Sequence, residues 1–167
     1  GIIVLLFMAI PIEHSVAKSL ADVQQKLAHA KADIRWVLPA RFHITVKFLG
    51  ETDETLVPEL SRRLSKAAAE APPVTLDIEG LDPLPLKGPP RVIIAHALSR
   101  DHHLTRLHRL IDSGIGGMGL PMDTRDLLGH ITLGRVASNR GINKVLRLLG
   151  KYAFTPFGRF GVHQVGL

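Results

Sequence analysis

The chain has 167 residues, of which 46% are hydrophobic and 22% are charged. This is typical of a single compact domain spanning residues 1–167 and excludes a mainly disordered chain. No cysteine is present, which excludes disulfide frameworks, thiolate metal sites and cysteine nucleophiles and favours the cytoplasm. Twenty-one Lys and Arg against fifteen Asp and Glu give a net charge of +6, which favours a polyanionic partner.

The longest apolar run, residues 1–10, is followed by Pro11. It has about half the roughly 20 residues that a membrane-spanning helix needs. It also lacks the basic leader and small-residue cleavage site of a secretion signal. We therefore expect a buried strand here and no association with a membrane.

The first part of the chain alternates strand-like and helix-like patterns. Apolar residues at spacings of three and four indicate helices, and alternating apolar and polar residues indicate half-buried strands. Thr52 or Asp53 can cap the second helix, which Pro72 ends. The predicted elements are strands at 2–10, 41–50 and 74–78 and helices at 12–27 and 53–70.

The stretch 80–90 is rich in proline and glycine and is interpreted as a loop. After it, the same order of elements repeats. The predicted elements are strands at 91–98, 128–136 and 154–165 and helices at 101–113 and 138–150. The two halves, about 1–79 and 91–167, therefore indicate an internal duplication with a pseudo-twofold axis. The short connections leave parallel and antiparallel pairing open.

The tripeptide His-Ile-Thr occurs at 43–45 and at 130–132, in the middle predicted strand of each half. Residues i and i+2 of a strand share a face, so each imidazole stands beside a hydroxyl while the isoleucine points into the core. If the pseudo-twofold axis holds, the two pairs face each other across a cleft. One imidazole can then act as general base and the other as general acid, while the hydroxyls hold a phosphate. This predicts phosphodiester chemistry without a metal.

A third HxT triplet, residues 103–105, lies in a helical pattern, where i and i+2 occupy different faces. We reject it as a site. The neighbouring Asp101, His102 and His108 are potential metal ligands, but no further carboxylates converge on them, so a solvated helix face is the better interpretation. Neither a metal nor another cofactor is expected.

Cations near the two motifs are candidate phosphate ligands. By strand alternation, Arg41 and Lys47 share the face of His43, which predicts contacts with an RNA backbone, although solubilisation of a sheet edge would explain them equally well. Arg135 follows His130 by five residues. Strict alternation places it on the opposite face, so a phosphate-binding role does not follow from periodicity.

Three aromatic residues near the first motif differ in their expected environment. Phe42 and Phe48 share the face of Ile44 and are therefore predicted to lie in the core. Trp36 precedes Pro39, is expected to be more open, and is a candidate for stacking on an RNA base.

Together these features resemble the 2H phosphoesterase superfamily, named for two HxTx motifs, and within it the RNA 2',3'-cyclic phosphodiesterases, also called LigT-like 2'-5' RNA ligases. The likeness covers nearly the whole chain. Its features are AIPI at the end of the apolar start, RWV before HITVKFLGE, the proline-rich middle and HITLGRV. The resemblance implies an α+β, bilobal, pseudo-twofold fold in which two antiparallel sheets line a central cleft with helices outside.

The resemblance also implies metal-independent hydrolysis of RNA-terminal 2',3'-cyclic phosphate to a 2'-phosphate in RNA processing, with reversible 2'-5' RNA ligation as a related activity. It makes His43 the proton donor, His130 the proton acceptor, and Thr45, Thr132 and Arg135 the phosphate ligands. The implied partners are RNA ends, tRNA fragments among them, and the protein is expected to be a monomer.

Two alternatives stay open. An enzyme of the same superfamily would act on small cyclic nucleotides or on 2'-5' oligonucleotides, and activity against each substrate would separate it from an RNA-end enzyme. A nonenzymatic RNA-binding module would keep HxT for phosphate contact alone. The basic charge favours RNA, and the presence of both histidines and both threonines argues against the nonenzymatic module.

Overall fold

The computed structural model describes residues 1–120, 129–162 and 165–167. Its strands are β1 (Ile3–Pro11), β2 (Ile34–Trp36), β3 (His43–Asp53), β4 (Thr75–Leu84), β5 (Val92–Leu98), β6 (His130–Val136) and β7 (Pro156–Gly161). Its helices are α1 (His14–Ala28), α2 (Val57–Glu70), α3 (His103–Gly114) and α4 (Ile142–Gly150). The α+β class is thus confirmed. Residue 128 of the fifth predicted strand and residues 163–164 of the sixth lie outside the described residues.

The helices form where the apolar spacing predicts them. In α1 the apolar stripe of Val16, Leu20 and Leu27 is buried. The carboxylate of Asp53 accepts a hydrogen bond from the backbone nitrogen of Thr55 (2.9 Å) and caps a short 3-10 turn that leads into α2. Within the described ranges, no helix combines the length and apolar character needed to span a membrane.

All named strand pairs are antiparallel, and the order across the sheet is β1-β3-β6-β5-β4-β7, with β2 also paired to β6. The arm β1-β3 joins the larger arm through one described pair, Ile44 with Ile131. The two sheets expected from the resemblance are therefore continuous at this point. Gly166 forms a bridge with Ala9 of β1. The division into pseudo-repeats at 1–79 and 91–167 stays a prediction.

One face of the sheet packs against the helices. Ile44 and Ile131 are fully buried there, in a core that also contains Leu20 of α1, Leu60 of α2 and Val145 of α4. Burial of this face is the main stabilising contribution to the fold. The opposite face of the sheet, which carries the four polar residues of the two His-Ile-Thr motifs, is called the open face below.

The predicted loop 80–90 begins later than expected, because β4 extends to Leu84. Gly80 has φ +83 at an irregularity in the pairing with β5, and the strand continues beyond it. β7 pairs with β4 only as far as Glu79 in the described residues, so Pro83 lies on a free edge where no strand hydrogen bond is lost. The three-residue β2 was not predicted.

Candidate active site

The two His-Ile-Thr motifs meet where the arms of the sheet join. Ile44 pairs with Ile131 across antiparallel strands, and extending this register by one residue sets His43 opposite Thr132 and Thr45 opposite His130. Both isoleucines are buried in the core, whereas all four polar residues are half-buried on the open face. Diagonal neighbours in such a pair lie about 7–8 Å apart, and their Cβ atoms are somewhat closer. The two imidazoles can therefore flank one phosphate.

A bulge in β6 brings Arg135 to this face. Thr132 pairs with Ile94 and Gly134 with the preceding residue of β5, Ile93, so Leu133 is the extra residue. A bulge inserts one residue and reverses the alternation beyond it. Arg135 consequently lies on the same face as Thr132, and it is exposed. Strict alternation had placed it on the other face.

A buried glutamine stabilises this bulge. Gln24 of α1 is 7% exposed, and its side-chain amide donates hydrogen bonds to the carbonyls of Leu133 (2.9 Å) and Val37 (2.7 Å). The carbonyl of Leu133 also accepts a hydrogen bond from the Val37 backbone nitrogen (2.9 Å). These bonds satisfy backbone groups that the irregular strand would otherwise leave unpaired.

An equivalent bulge in β3 overturns two sequence predictions. Thr45 pairs with Ala9 and Lys47 with Met8, which makes Val46 the extra residue. Phe48 therefore lies on the open face and is 59% exposed, whereas Lys47 turns inward and is 1% exposed. The predictions of Phe48 as a core residue and Lys47 as an RNA contact are both wrong.

Lys47 has a structural partner instead of an RNA partner. Its ammonium group forms an ion pair with Asp112 of α3, and the two side chains are 0% and 15% exposed. His108 approaches the same carboxylate at 3.7 Å. A buried ammonium group requires such a partner, because desolvation of an unpaired charge is costly. Lys47 thus connects the first arm of the sheet to α3.

The ring of His43 is oriented by two neighbours. Its Nδ1 lies 2.7 Å from the carbonyl oxygen of Arg41, and because a carbonyl can only accept, Nδ1 is the donor. Nε2 is thereby left for substrate. The ring of Phe7 lies 5.1 Å from that of His43, centroid to centroid, and 6.1 Å from that of Phe48. Phe42, as predicted, lies in the core at 5% exposure.

A third histidine accompanies His130. His96 of β5 pairs directly with His130 across the strands, so the two side chains share the open face. Nε2 of His96 lies 2.6 Å from a carboxylate oxygen of Asp82. Sequence reasoning missed the pairing of His96 with His130, because nothing local to either residue indicates that β5 and β6 are neighbours.

Trp36 does not lie with the motifs, contrary to its prediction as an open RNA contact. It pairs with Gly134, and a Cβ atom built at Gly134 would lie 2.8 Å from the Trp36 ring. The indole therefore covers the backbone of β6 on the face of the fully buried Ile93, which pairs with the same glycine. It packs against the hydrophobic core.

The strand pairings described above bring the two HxT motifs together on one sheet. Comparison with known proteins agrees with this arrangement. The family model described as LigT like Phosphoesterase matches residues 10–94, just over half of the chain. The chain belongs to the LigT-like phosphoesterase family.

Relatives of this LigT-like phosphoesterase span most of its length. The RNA 2',3'-cyclic phosphodiesterase of Archaeoglobus fulgidus is 28% identical over 162 residues, which cover 97% of this chain and 88% of that protein. The protein with the same name from Methanocaldococcus jannaschii is 27% identical over 162 residues, with the same two coverages.

Solved structures show the same fold. The crystal structure of TT0787 from Thermus thermophilus superposes with a TM-score of 0.79 at 23% identity and covers 97% of this chain and 86% of that one. Escherichia coli LigT complexed with 3'-AMP gives a TM-score of 0.71 at 22% identity, covering 95% and 83%. The fold of the present LigT-like phosphoesterase is therefore confirmed independently of its sequence motifs.

The third HxT triplet of this LigT-like phosphoesterase lies in α3, as predicted. Nδ1 of His103 contacts the carbonyl of Pro73 at 2.8 Å and the carboxylate of Asp101 at 3.0 Å. Asp101 also accepts hydrogen bonds from the His103 backbone nitrogen and from the Ser99 hydroxyl, and these two bonds lower the pKa of its carboxyl group. Across the described ranges, no three His, Asp or Glu side chains are grouped as metal ligands would be.

Proposed function

We propose that this protein is an RNA 2',3'-cyclic phosphodiesterase that opens the terminal cyclic phosphate to a 2'-phosphate. The observation that carries the proposal is the pairing of Ile44 with Ile131, because it sets an imidazole and a hydroxyl from each motif around one space. The relatives from Archaeoglobus and Methanocaldococcus are named for this activity, and the activity requires groups that transfer protons and groups that hold a phosphate in one site.

In-line displacement at phosphorus needs a base and an acid on opposite sides. In the proposed reaction, His130 takes a proton from the attacking water as the new phosphorus–oxygen bond forms. His43 gives a proton to the departing 3' oxygen as its bond to phosphorus breaks. The Arg41 carbonyl that accepts from Nδ1 of His43 supports the donor role, because it holds one ring proton on Nδ1 and leaves Nε2 as the atom that can pass a proton to the departing oxygen.

The remaining polar residues hold the phosphate. The hydroxyls of Thr45 and Thr132, each opposite a histidine, donate hydrogen bonds to the nonbridging oxygens. The guanidinium of Arg135 adds a charge-assisted contact, which strengthens as negative charge accumulates during bond breaking. When a 5'-hydroxyl replaces water as the nucleophile, the same site forms a 2'-5' linkage.

The region beside His43 has the chemistry to bind a nucleoside. A surface cavity of about 570 Å³, lined in part by Phe7, Arg41 and His43, opens there. Phe48 adds an exposed ring next to Phe7. Aromatic rings stack on nucleobases of any sequence, and Arg41, which is exposed, can contact the RNA backbone. The two phenylalanines replace Trp36 as the proposed base platform.

Replacement of Phe48 by alanine is expected to raise KM for a cyclic-phosphate dinucleotide about tenfold, because loss of one stacked base costs about 1–3 kcal/mol. Steady-state kinetics with Phe154→Ala as control measure this effect. Phe154 is 91% exposed in the segment before β7. An equal change in both variants, or no change in Phe48→Ala, would contradict the stacking role.

Turnover of an oligoribonucleotide with a 2',3'-cyclic phosphate end tests the proposed function, and EDTA is expected to leave the rate unchanged. The reason is that imidazoles, hydroxyls and a guanidinium perform every step above. The measurement is chromatography of the product with and without EDTA. Absence of turnover, or loss on chelation with recovery on adding a divalent ion, would contradict the proposal.

We infer that the physiological substrates are RNA ends in the cytoplasm, tRNA fragments among them. One chain supplies both histidines, both threonines and the arginine of the proposed site. A monomer is therefore sufficient for activity, and we propose the monomer as the working form.

A further inference from the structure

Two arginines stand directly opposite each other at one end of the site. Arg35 of β2 pairs with Arg135 of β6, and both side chains are exposed. Cross-strand partners share a face, and the bulge at Leu133 has already placed Arg135 on the open face. Arg35 is therefore on that face as well, beside the phosphate-binding residues.

Among the described residues this pair has no acidic partner, in contrast to Arg159 of β7 and to Arg100, which follows β5. Arg100 and Arg159 both bind the carboxylate of Asp77, at 3.0 and 2.6 Å. In the part of the chain that the structure describes, neither Arg35 nor Arg135 forms a salt bridge with a carboxylate. Like charges directly opposite on a sheet are destabilising. An anion held between them would remove this repulsion.

The position of the arginine pair indicates which phosphate of a bound RNA strand it can contact. Along β6, Arg135 follows Thr132 and the extra residue Leu133 of the bulge. Apart from that extra residue, the displacement is one two-residue repeat of a strand, roughly 6.6–6.8 Å. The scissile phosphate occupies the space between the histidines in the proposed reaction. The neighbouring phosphate of the same RNA strand would then fall within reach of the second guanidinium.

We infer that Arg35 binds the phosphodiester that joins the terminal nucleotide to its 5' neighbour, with Arg135 between this phosphate and the scissile one. Guanidinium groups suit the task, because their planar donors match phosphate oxygens. The inference rests on the proposed function and makes it more specific. The enzyme selects oligonucleotide ends over a nucleoside 2',3'-cyclic phosphate, which lacks this second phosphate.

The test compares kcat/KM of wild type and Arg35→Ala on two substrates, a dinucleotide ending in cyclic phosphate and a nucleoside 2',3'-cyclic phosphate. We expect about a tenfold loss on the dinucleotide and less than a twofold change on the mononucleotide. Arg35→Lys should recover part of the loss. Arg109→Ala on α3, an exposed position with the same change of charge, should leave both substrates unaffected.

Equal losses on the two substrates would overturn the inference, since they would mean that Arg35 contacts the scissile phosphate or has a structural role. No loss on either substrate would overturn it as well. If wild type turns over neither substrate, the proposed function fails separately. Fluorescence anisotropy with a labelled single-stranded RNA then decides the inference. It stands if Arg35→Ala binds that RNA about tenfold more weakly than Arg109→Ala does, and fails if the two bind equally.

Discussion

Alanine at His43 or at His130 is expected to lower kcat on cyclic-phosphate RNA by about a hundredfold or more, because each removes one side of the proton transfer. Folding should be retained, since both side chains lie on the open face and only the isoleucines between them and the threonines are in the core. The double variant should lose little more than either single variant, because residues that act as a unit are not additive.

His103→Ala is the matched control for these variants. His103 begins the third HxT triplet but lies on α3, where its ring contacts the carbonyl of Pro73. Its activity should equal that of wild type within about twofold. A His43 or His130 variant that keeps near wild-type kcat, with an unchanged circular dichroism spectrum, would show that the two-histidine mechanism is wrong.

Replacement of Lys47 by alanine is expected to reduce the free energy of unfolding by about 3 kcal/mol, the lower end for a broken buried pair, because it leaves the half-buried carboxylate of Asp112 without its ammonium partner. That is a large part of the stability of a typical domain. Urea denaturation followed by circular dichroism measures the loss. At low temperature, where the variant is folded, KM for RNA should be close to that of wild type.

A double replacement distinguishes the loss of stability caused by the unpaired charge from the loss caused by poorer side-chain packing. Lys47→Met combined with Asp112→Leu removes both charges with similar side-chain volume, and such exchanges of buried ion pairs are often neutral or stabilising. The double variant should therefore recover most of the lost stability. Normal stability of Lys47→Ala together with weakened RNA binding would instead support an exposed lysine at the substrate.

The central residues of the site could be predicted because their signals are local. A repeated His-Ile-Thr within alternating strands places imidazole and hydroxyl on one face by the period of the strand alone. Burial of the isoleucines then fixes which face that is. The helices follow from apolar spacing in the same way, as the buried stripe of α1 shows.

The bulges were the main obstacle to prediction beyond each motif. A single extra residue reverses every later side chain in the strand, which is why Lys47, Phe48 and Arg135 all lie on faces opposite to those expected. A signal was present in the sequence. Alignment of HITVKF with HITLGR puts Phe48 and Arg135 at the same fifth position after the histidine. A bulge that turns one of these side chains to the open face therefore predicts the same for the other.

The cross-strand neighbours could not be found by local reasoning. Arg35 faces Arg135, and His96 faces His130, through pairings of strands far apart in sequence. Only the register of the sheet makes them partners. The exposed arginine and the histidine look like ordinary surface residues until that register is known.

The position of the product phosphate shows which histidine is the acid and which is the base. If His43 protonates the departing 3' oxygen while His130 activates water, hydrolysis of a dinucleotide 2',3'-cyclic phosphate must leave the phosphate on the 2' oxygen. Phosphorus NMR of the completed reaction distinguishes the two monoesters. We expect the 2'-phosphate to predominate, and a predominant 3'-phosphate would contradict the assignment of His43 as the proton donor.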